Sequence, residues 1–198
     1  MTILFATNNA HKLSEVRTLL AEFGLHDQII TPGHLPVAPD HEPEETGDTY
    51  AANATLKVNF LSSYYDGWIM SDDSGIDVAA LPGLLGVHSK RWHPGTDADR
   101  CQALLAKLAT ATNRDASYTC VCCLREPTGR VHTFTGVLPG TIAPTCRGQA
   151  GFGYDPLFIP TGYNQTLGEL GQDVKNQLSH RRRAFQALAK WRRAHPSV

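Results

Sequence analysis

The chain has 198 residues, 41% of them hydrophobic, and a formal net charge of −1 at pH 7. That length suits one domain with a substantial core. The charge balance excludes a global field drawing the protein to nucleic acid or to an anionic membrane. The five cysteines are an odd number and argue against a disulfide framework. No apolar stretch approaches membrane-spanning length, and the short apolar start reads as a first strand rather than a signal peptide. The expectation is a soluble, cytoplasmic protein, one domain over residues 1–198, without a nucleic-acid or membrane partner.

In chain order, residues 2–6 read as a strand. Asn8-Asn9 then offer a helix N-cap ahead of Leu13, Val16, Leu19, Leu20 and Phe23 at helical spacing, and Gly24 closes that helix. A short strand at 28–31 leads into a Pro- and His-rich loop at 32–43. A second helix is expected over 49–65, capped by Asp48, with Ala51, Ala54, Val58, Leu61 and Tyr65 as its apolar stripe and Asn53 and Lys57 on another face. Trp68-Ile69-Met70 reads as a short buried strand ending in Ser71-Asp72-Asp73-Ser74-Gly75, a turn. After a Gly/Pro-punctuated stretch at 81–95 comes a helix over 97–111, then strands at 116–125 and 130–138 joined as a hairpin. A Gly-rich segment at 148–155 precedes a strand at 156–159. The last helix starts at Ser179 and carries Ala184, Phe185, Leu188 and Trp191 on one face. Strand–helix alternation followed by a hairpin argues an α/β fold with a mixed sheet. Cys120-Val121-Cys122-Cys123 contains a CxxC pair, but on a strand Cys120 and Cys123 face opposite sides, so buried thiols are the better reading than a zinc site.

Four polar islands carry the chemistry. Asp72 and Asp73 place two carboxylates side by side, a costly arrangement that suits a hard cation such as Mg²⁺, with one carboxylate free to take a proton from an attacking water. The bland alternative is a polar strand end. Thr7, Asn8, Asn9, Ala10, His11 and Lys12 lie where a strand meets a helix N-terminus, which favours an anion such as phosphate, or is simply a cap. Gly151-Phe152-Gly153-Tyr154-Asp155 lets backbone approach a flat ligand beside an aromatic face, or is a tight turn whose rings join the core. Ser179-His180-Arg181-Arg182-Arg183 puts cations in a first helical turn, where the dipole disfavours them unless a polar ligand sits there. The chain has neither a GxxxxGK[ST] nor a GxGxxG motif. The islands together suit a metal-bound nucleotide.

In their order these islands resemble the inosine triphosphate pyrophosphatases, the Ham1-like purine nucleoside triphosphate pyrophosphatases. The likeness spans nearly the whole chain. It runs through Thr7-Asn8-Asn9 with Lys12 and Glu15, Glu44-Glu45-Thr46-Gly47, Asn53-Ala54 with Lys57, Asp72-Asp73-Ser74-Gly75, Leu81-Pro82-Gly83, Gly151-Phe152-Gly153-Tyr154-Asp155-Pro156, and Lys175-Asn176 with Ser179-His180-Arg181. The resemblance implies an elongated two-lobed α/β fold, a central mixed sheet flanked by helices, a site in the cleft and a homodimer. It also implies Mg²⁺-dependent hydrolysis of ITP, dITP or XTP to the monophosphate and pyrophosphate. By matched position, Asp73 would be general base and metal ligand and Glu45 a second metal ligand. Residues 7–12, Lys57 and Lys175 would handle phosphates, and Ser74, Phe152, Gly153, Tyr154, Asp155, His180 and Arg181 the nucleoside. The chain departs from the family pattern at Lys90, Trp92, Arg182, Arg183, Gly168 and Gly171. A nucleotide pyrophosphatase of different base specificity and a non-catalytic nucleotide-binding module are the rival readings.

Overall fold

The computed structural model describes residues 1–195, the side chain of His11 excepted. Six strands, β1 (Thr2–Phe5), β2 (Gln28–Ile30), β3 (Trp68–Val78), β4 (Asp115–Arg125), β5 (Val131–Ile142) and β6 (Phe158–Pro160), form one sheet in the order β2-β1-β3-β4-β5-β6. β1 runs parallel to β2 and β3, whereas β5 and β6 are antiparallel, so the sheet is mixed. The helices are α1 (Ala10–Glu22), α2 (Tyr50–Leu61), α3 (Asp97–Lys107), α4 (Leu167–Leu178) and α5 (His180–Ala194). By contacts the chain divides into two compact units. The first is Met1–Asp73, Cys120–Gly136 and Arg181–Val198, and the second is Ser74–Thr119 and Val137–His180.

In the first unit both faces of the strands are covered. Ile3 and Phe5 of β1, Met70 of β3 and Cys120, Cys122 and Leu124 of β4 pack with Val16 and Leu20 of α1 and Phe185 and Leu188 of α5. Leu4, Ile69 and Cys123, the alternate residues of the same strands, pack instead with Ala54, Val58 and Leu61 of α2. Side chains alternate faces along a strand, so a strand covered on both sides reads as an unbroken apolar run rather than an alternating one. The same alternation keeps Cys120 and Cys123 in separate apolar clusters, as their strand placement requires.

The second unit has one core. Ile76 and Val78 of β3, Ala116 and Tyr118 of β4 and Leu138 and Ile142 of β5 face Cys101 and Leu104 of α3 and Leu167 of α4. Here the strands alternate in and out: Asp77, Val137 and Thr141 are exposed between buried neighbours. One face of this part of the sheet is therefore uncovered by its own unit.

Several sequence expectations are corrected. β3 does not end at Met70; it runs through Asp72, Asp73 and Gly75 to Val78, because both carboxylates are buried and held along the strand. α2 is capped by Thr49, whose side chain accepts from the Ala52 N–H at 3.1 Å, rather than by Asp48, and it ends at Leu61. α3 stops at Lys107, β5 extends to Ile142, and β6 starts at Phe158. α4 was unanticipated. Gly168 and Gly171 depress its helical signal, yet Thr166 and Glu169 form a capping box that marks its start. Ser179 closes α4 and stands alone before α5.

Candidate active site

Strand alternation decides what the two adjacent acids do. Asp72 shares the parity of Met70 and turns toward the α1/α5 side. There Lys12 Nζ lies 3.1 Å from Oδ1 and Arg181 Nε 3.2 Å from Oδ2, while a second Arg181 nitrogen donates to Glu15 Oε2 at 2.7 Å. Asp73 shares the parity of Ile69 and Ser71 and turns toward α2. Asn53 Nδ2 donates to its Oδ2 at 3.2 Å, and Lys57 Nζ lies 3.5 Å from Oδ1. The same ammonium is 2.6 Å from Glu45 Oε1 and donates to the Asp72 carbonyl at 3.2 Å. The idea of one paired-carboxylate cluster is thus corrected: the strand sends the neighbours to opposite faces.

Their electrostatics differ accordingly. Burial pushes the Asp72 carboxyl up, but Lys12, Arg181 and Lys57 overrule it and hold it well below the usual carboxylate range. Burial also pushes Asp73 up, and with the Glu45 charge it outweighs Lys57 and Asn53, so Asp73 is raised. Lys57 loses to burial but gains more from Asp73 and Glu45, and its pKa is raised. Asp72 is therefore a fixed anion inside an ion-pair group. Asp73 is the acid whose environment tunes it upward, as a group that takes up a proton requires.

The Asn9 side chain accepts from the Lys12 N–H at 3.2 Å, and Thr7 Oγ1 accepts from the Asn9 N–H at 3.1 Å, so this strand–helix junction is capped as expected. Asn8 and Ala10 are exposed, and Asn8 donates to Glu42 at 2.7 Å. The His11 side chain lies outside the described residues.

In the second unit another group assembles. Asp155, 1% exposed, accepts from Lys175 Nζ at 2.5 Å, from the Phe152 N–H at 2.9 Å and from the Tyr118 hydroxyl at 3.4 Å. Lys175 Nζ also sits 4.0 Å from the centre of the Phe152 ring, which is 45% exposed. Burial pushes Asp155 up more than Lys175 lowers it. A side chain at Gly151 would run into this carboxylate, its Cβ falling 2.0 Å from Asp155 Oδ2, and the backbone there has φ +82°. Glycine is what lets the loop close on Asp155. Tyr154, expected at a ligand or in the core, is 5% exposed: its hydroxyl donates to the Ser89 carbonyl at 2.6 Å and accepts from Trp92 Nε1 at 2.5 Å. The departure at Trp92 thus has a role: the indole fixes Tyr154. Gly153 N–H donates to Asp97 at 2.7 Å. His180 stacks on Tyr118 with ring centres 4.8 Å apart and planes 9° from parallel. Ser74, half-buried, follows Asp73 on β3.

The first unit therefore gathers Lys12 and Arg181 on Asp72 and, on the other face of β3, Glu45 and Lys57 with Asp73, while the second brings together Phe152, Gly153, Asp155, Lys175 and His180. Asn53 and Tyr118 did not figure among the expected site residues. Asn53, fully buried, accepts from the Gly47 N–H at 2.8 Å while donating to Asp73, and so ties the Glu45 segment to Asp73. Its place one helical turn before Lys57 was the available signal. For Tyr118 no local pattern existed. Among the described residues no three His, Cys, Asp or Glu side chains converge as a complete cage. Glu45 and Asp73 nevertheless offer two hard oxygens meeting at one point, on Lys57. That donor set fits a cation held by one or two carboxylates and otherwise by water and phosphate.

Comparison with known proteins identifies the family and the fold. A family model described as the Ham1 family matches residues 3–191. The dITP/XTP pyrophosphatase of Symbiobacterium thermophilum is 44% identical over 185 residues, 92% of this chain and 90% of that protein. Among solved structures, the Staphylococcus aureus Ham1 protein superposes with a TM-score of 0.89 at 31% identity, covering 98% of this chain and 100% of that one. A nucleoside-triphosphatase, or dITP/XTP pyrophosphatase, from Mycobacterium abscessus gives a TM-score of 0.79 at 36% identity, over 95% and 97% of the two chains. The chain belongs to the Ham1 family.

Proposed function

We propose that this protein hydrolyses purine nucleoside triphosphates bearing a deaminated base, ITP, dITP and XTP, to the monophosphate and pyrophosphate. Family membership and the names of its relatives support the reaction class. The observation that carries the mechanism is the setting of Asp73, buried, raised in pKa, and braced by Asn53 and Lys57. In the proposed reaction the Asp73 carboxylate takes a proton from water as that water attacks the α-phosphorus, the α–β anhydride bond breaks, and pyrophosphate leaves. Such a reaction needs charge neutralisation and orientation more than covalent help.

The residue roles follow the two groups. Lys12 and Lys57 are cations with side chains 20% and 14% exposed, available to phosphoryl oxygens as well as to their carboxylate partners. Residues 7–12 add the N–H groups of a helix start. Lys175 was expected at a phosphate; its tie to Asp155 and Phe152 supports instead a part in shaping the loop that takes the nucleoside. Phe152, Gly153, Tyr154, Asp155, Ser74, His180 and Arg181 are proposed for the nucleoside, with the exposed Phe152 ring as a stacking face. Asp72 and Glu15 hold the Arg181 guanidinium in a set orientation before any ligand binds. Glu45 and Asp73 are the residues that would hold Mg²⁺, which when bound would neutralise phosphoryl charge. We further propose that the protein acts as a homodimer in the cytoplasm.

A pyrophosphate-release assay with ITP, dITP, XTP, GTP, ATP and dUTP, with and without Mg²⁺, tests the reading. Turnover confined to the deaminated purines, and lost without the metal, is the expected result. Preference for a pyrimidine substrate would replace the base assignment. Calorimetric binding of ITP without turnover would replace the enzyme with a binding module.

A further inference from the structure

Two glycines at positive φ, Gly151 at 82° and Gly153 at 64°, give the 151–155 loop a backbone freedom that side-chain ties must remove. Tyr154 supplies one such tie. Its ring packs in the core of the second unit, and its hydroxyl accepts from Trp92 Nε1 at 2.5 Å while donating to the Ser89 carbonyl at 2.6 Å. An indole nitrogen can only donate, so the phenol gives its single proton to Ser89, and the two partners together fix its direction. Burial pushes the Tyr154 hydroxyl up to about 12 against the pull of the Trp92 N–H, so that proton is kept at neutral pH.

Both partners are themselves anchored. Ser89, 7% exposed, accepts from the Ile76 N–H of β3 at 2.9 Å through its hydroxyl, which donates to the Gly86 carbonyl at 2.6 Å. Trp92 is half-buried against the same core, and its backbone N–H donates to the His88 carbonyl at 2.9 Å. A line of hydrogen bonds thus runs from β3 through Ser89 and Tyr154 to Trp92, all within the second unit. Tyr154 stands in the loop between Gly153 and Asp155.

We propose that Trp92 is a positioning residue for nucleoside binding: through the Tyr154 hydroxyl it holds the 151–155 loop in the shape that presents Phe152 and Asp155 to the ligand. This rests on the loop's assignment to the nucleoside in the proposed function. Trp92 acts through Tyr154, by keeping the loop arranged before the ligand arrives. Without the indole N–H the buried Tyr154 oxygen loses a donor and the loop holds its binding shape for only part of the time. Apparent affinity then falls by that fraction. The setting of Asp73, built from Asn53 and Lys57 in the first unit, is untouched. The loss of one hydrogen bond is expected to raise KM for dITP about threefold to tenfold, with kcat nearly unchanged. A Trp92 that only stabilised the core would lower the urea midpoint and leave KM alone.

Two substitutions test this. Trp92→Phe keeps a ring and removes the donor, and Tyr154→Phe keeps the ring and removes the hydroxyl. KM and kcat for dITP are measured, with urea midpoints, in the wild type, both single variants and the double variant. A raised KM is expected in each single variant. Adding Trp92→Phe to Tyr154→Phe should raise KM no further, because the hydroxyl through which the indole acts is already gone. An unchanged KM in folded Trp92→Phe overturns the proposal. So does a Trp92→Phe effect that keeps its full size in the Tyr154→Phe background, or a loss confined to kcat. If Trp92→Phe does not fold, Tyr154→Phe decides alone, and a wild-type KM there overturns the proposal. A wild type that hydrolyses none of the nucleotides sinks the assigned reaction. Calorimetric Kd values for ITP in the same four proteins then decide the role of Trp92, and a wild type that binds no ITP ends both.

Discussion

At the residue scale, Asp72 and Asp73 show how one peptide bond separates a carboxyl held ionised from one whose pKa is raised. The raised pKa of Asp73 means the native state holds its proton more tightly than the unfolded chain, so its ionised form costs stability as pH rises through that value. Asp73→Asn is therefore expected to fold with undiminished thermal stability yet lose about 10²- to 10⁴-fold in kcat for ITP. In the wild type, activity is lost as pH falls through a midpoint above the ordinary value of 3.8. A variant that kept wild-type turnover would remove Asp73 from the mechanism. Asp72 has the opposite sign: its lowered pKa contributes stability that is present above the ordinary carboxylate range and lost as pH falls below it. Arg181→Ala leaves Asp72 with Lys12 but without its buried guanidinium. A loss of about 3–5 kcal/mol in urea unfolding is expected, together with a narrowed ITP-to-ATP preference. An unchanged preference in folded variant protein would confine Arg181 to the structural part.

At the element scale, α4 is the instructive case. Its start was written in the sequence as Thr166-Leu167-Gly168-Glu169, with Thr166 accepting from the Glu169 N–H and Glu169 Oε2 accepting in return from the Thr166 N–H at 2.8 Å. Its interior was masked by glycines, and one of them interrupts the helix: Gly171 has φ 79° and ψ 173°, a region closed to side chains. The chain resumes its helix after the break and delivers Lys175 to Asp155. Gly171→Ala is expected to lower stability by about 1–3 kcal/mol, read as a shift in the urea midpoint. An unchanged midpoint would mean that the conformation at 171 is optional. β3 is the converse. Its apolar start was legible, but polar residues hid its continuation, because their burial is compensated by partners distant in sequence.

At the scale of the whole molecule, four of the five cysteines are buried and one, Cys146, is exposed. Titration of the native reduced protein with a thiol reagent is expected to show one fast thiol, and all five on unfolding; several fast thiols would contradict the packing of β4. The sequence by itself determined the apolar strands, α1 and α5, the mixed α/β class and the order of the polar islands, since each depends on periodicity, caps or short-range spacing. Only the tertiary structure decided that Asp72 belongs to Arg181 and Glu15, that Asn53 braces Asp73, and that Tyr118 backs His180. Those pairings join residues far apart along the chain. Burial and charge compensation make them favourable, and neither exists until the strands and helices have packed.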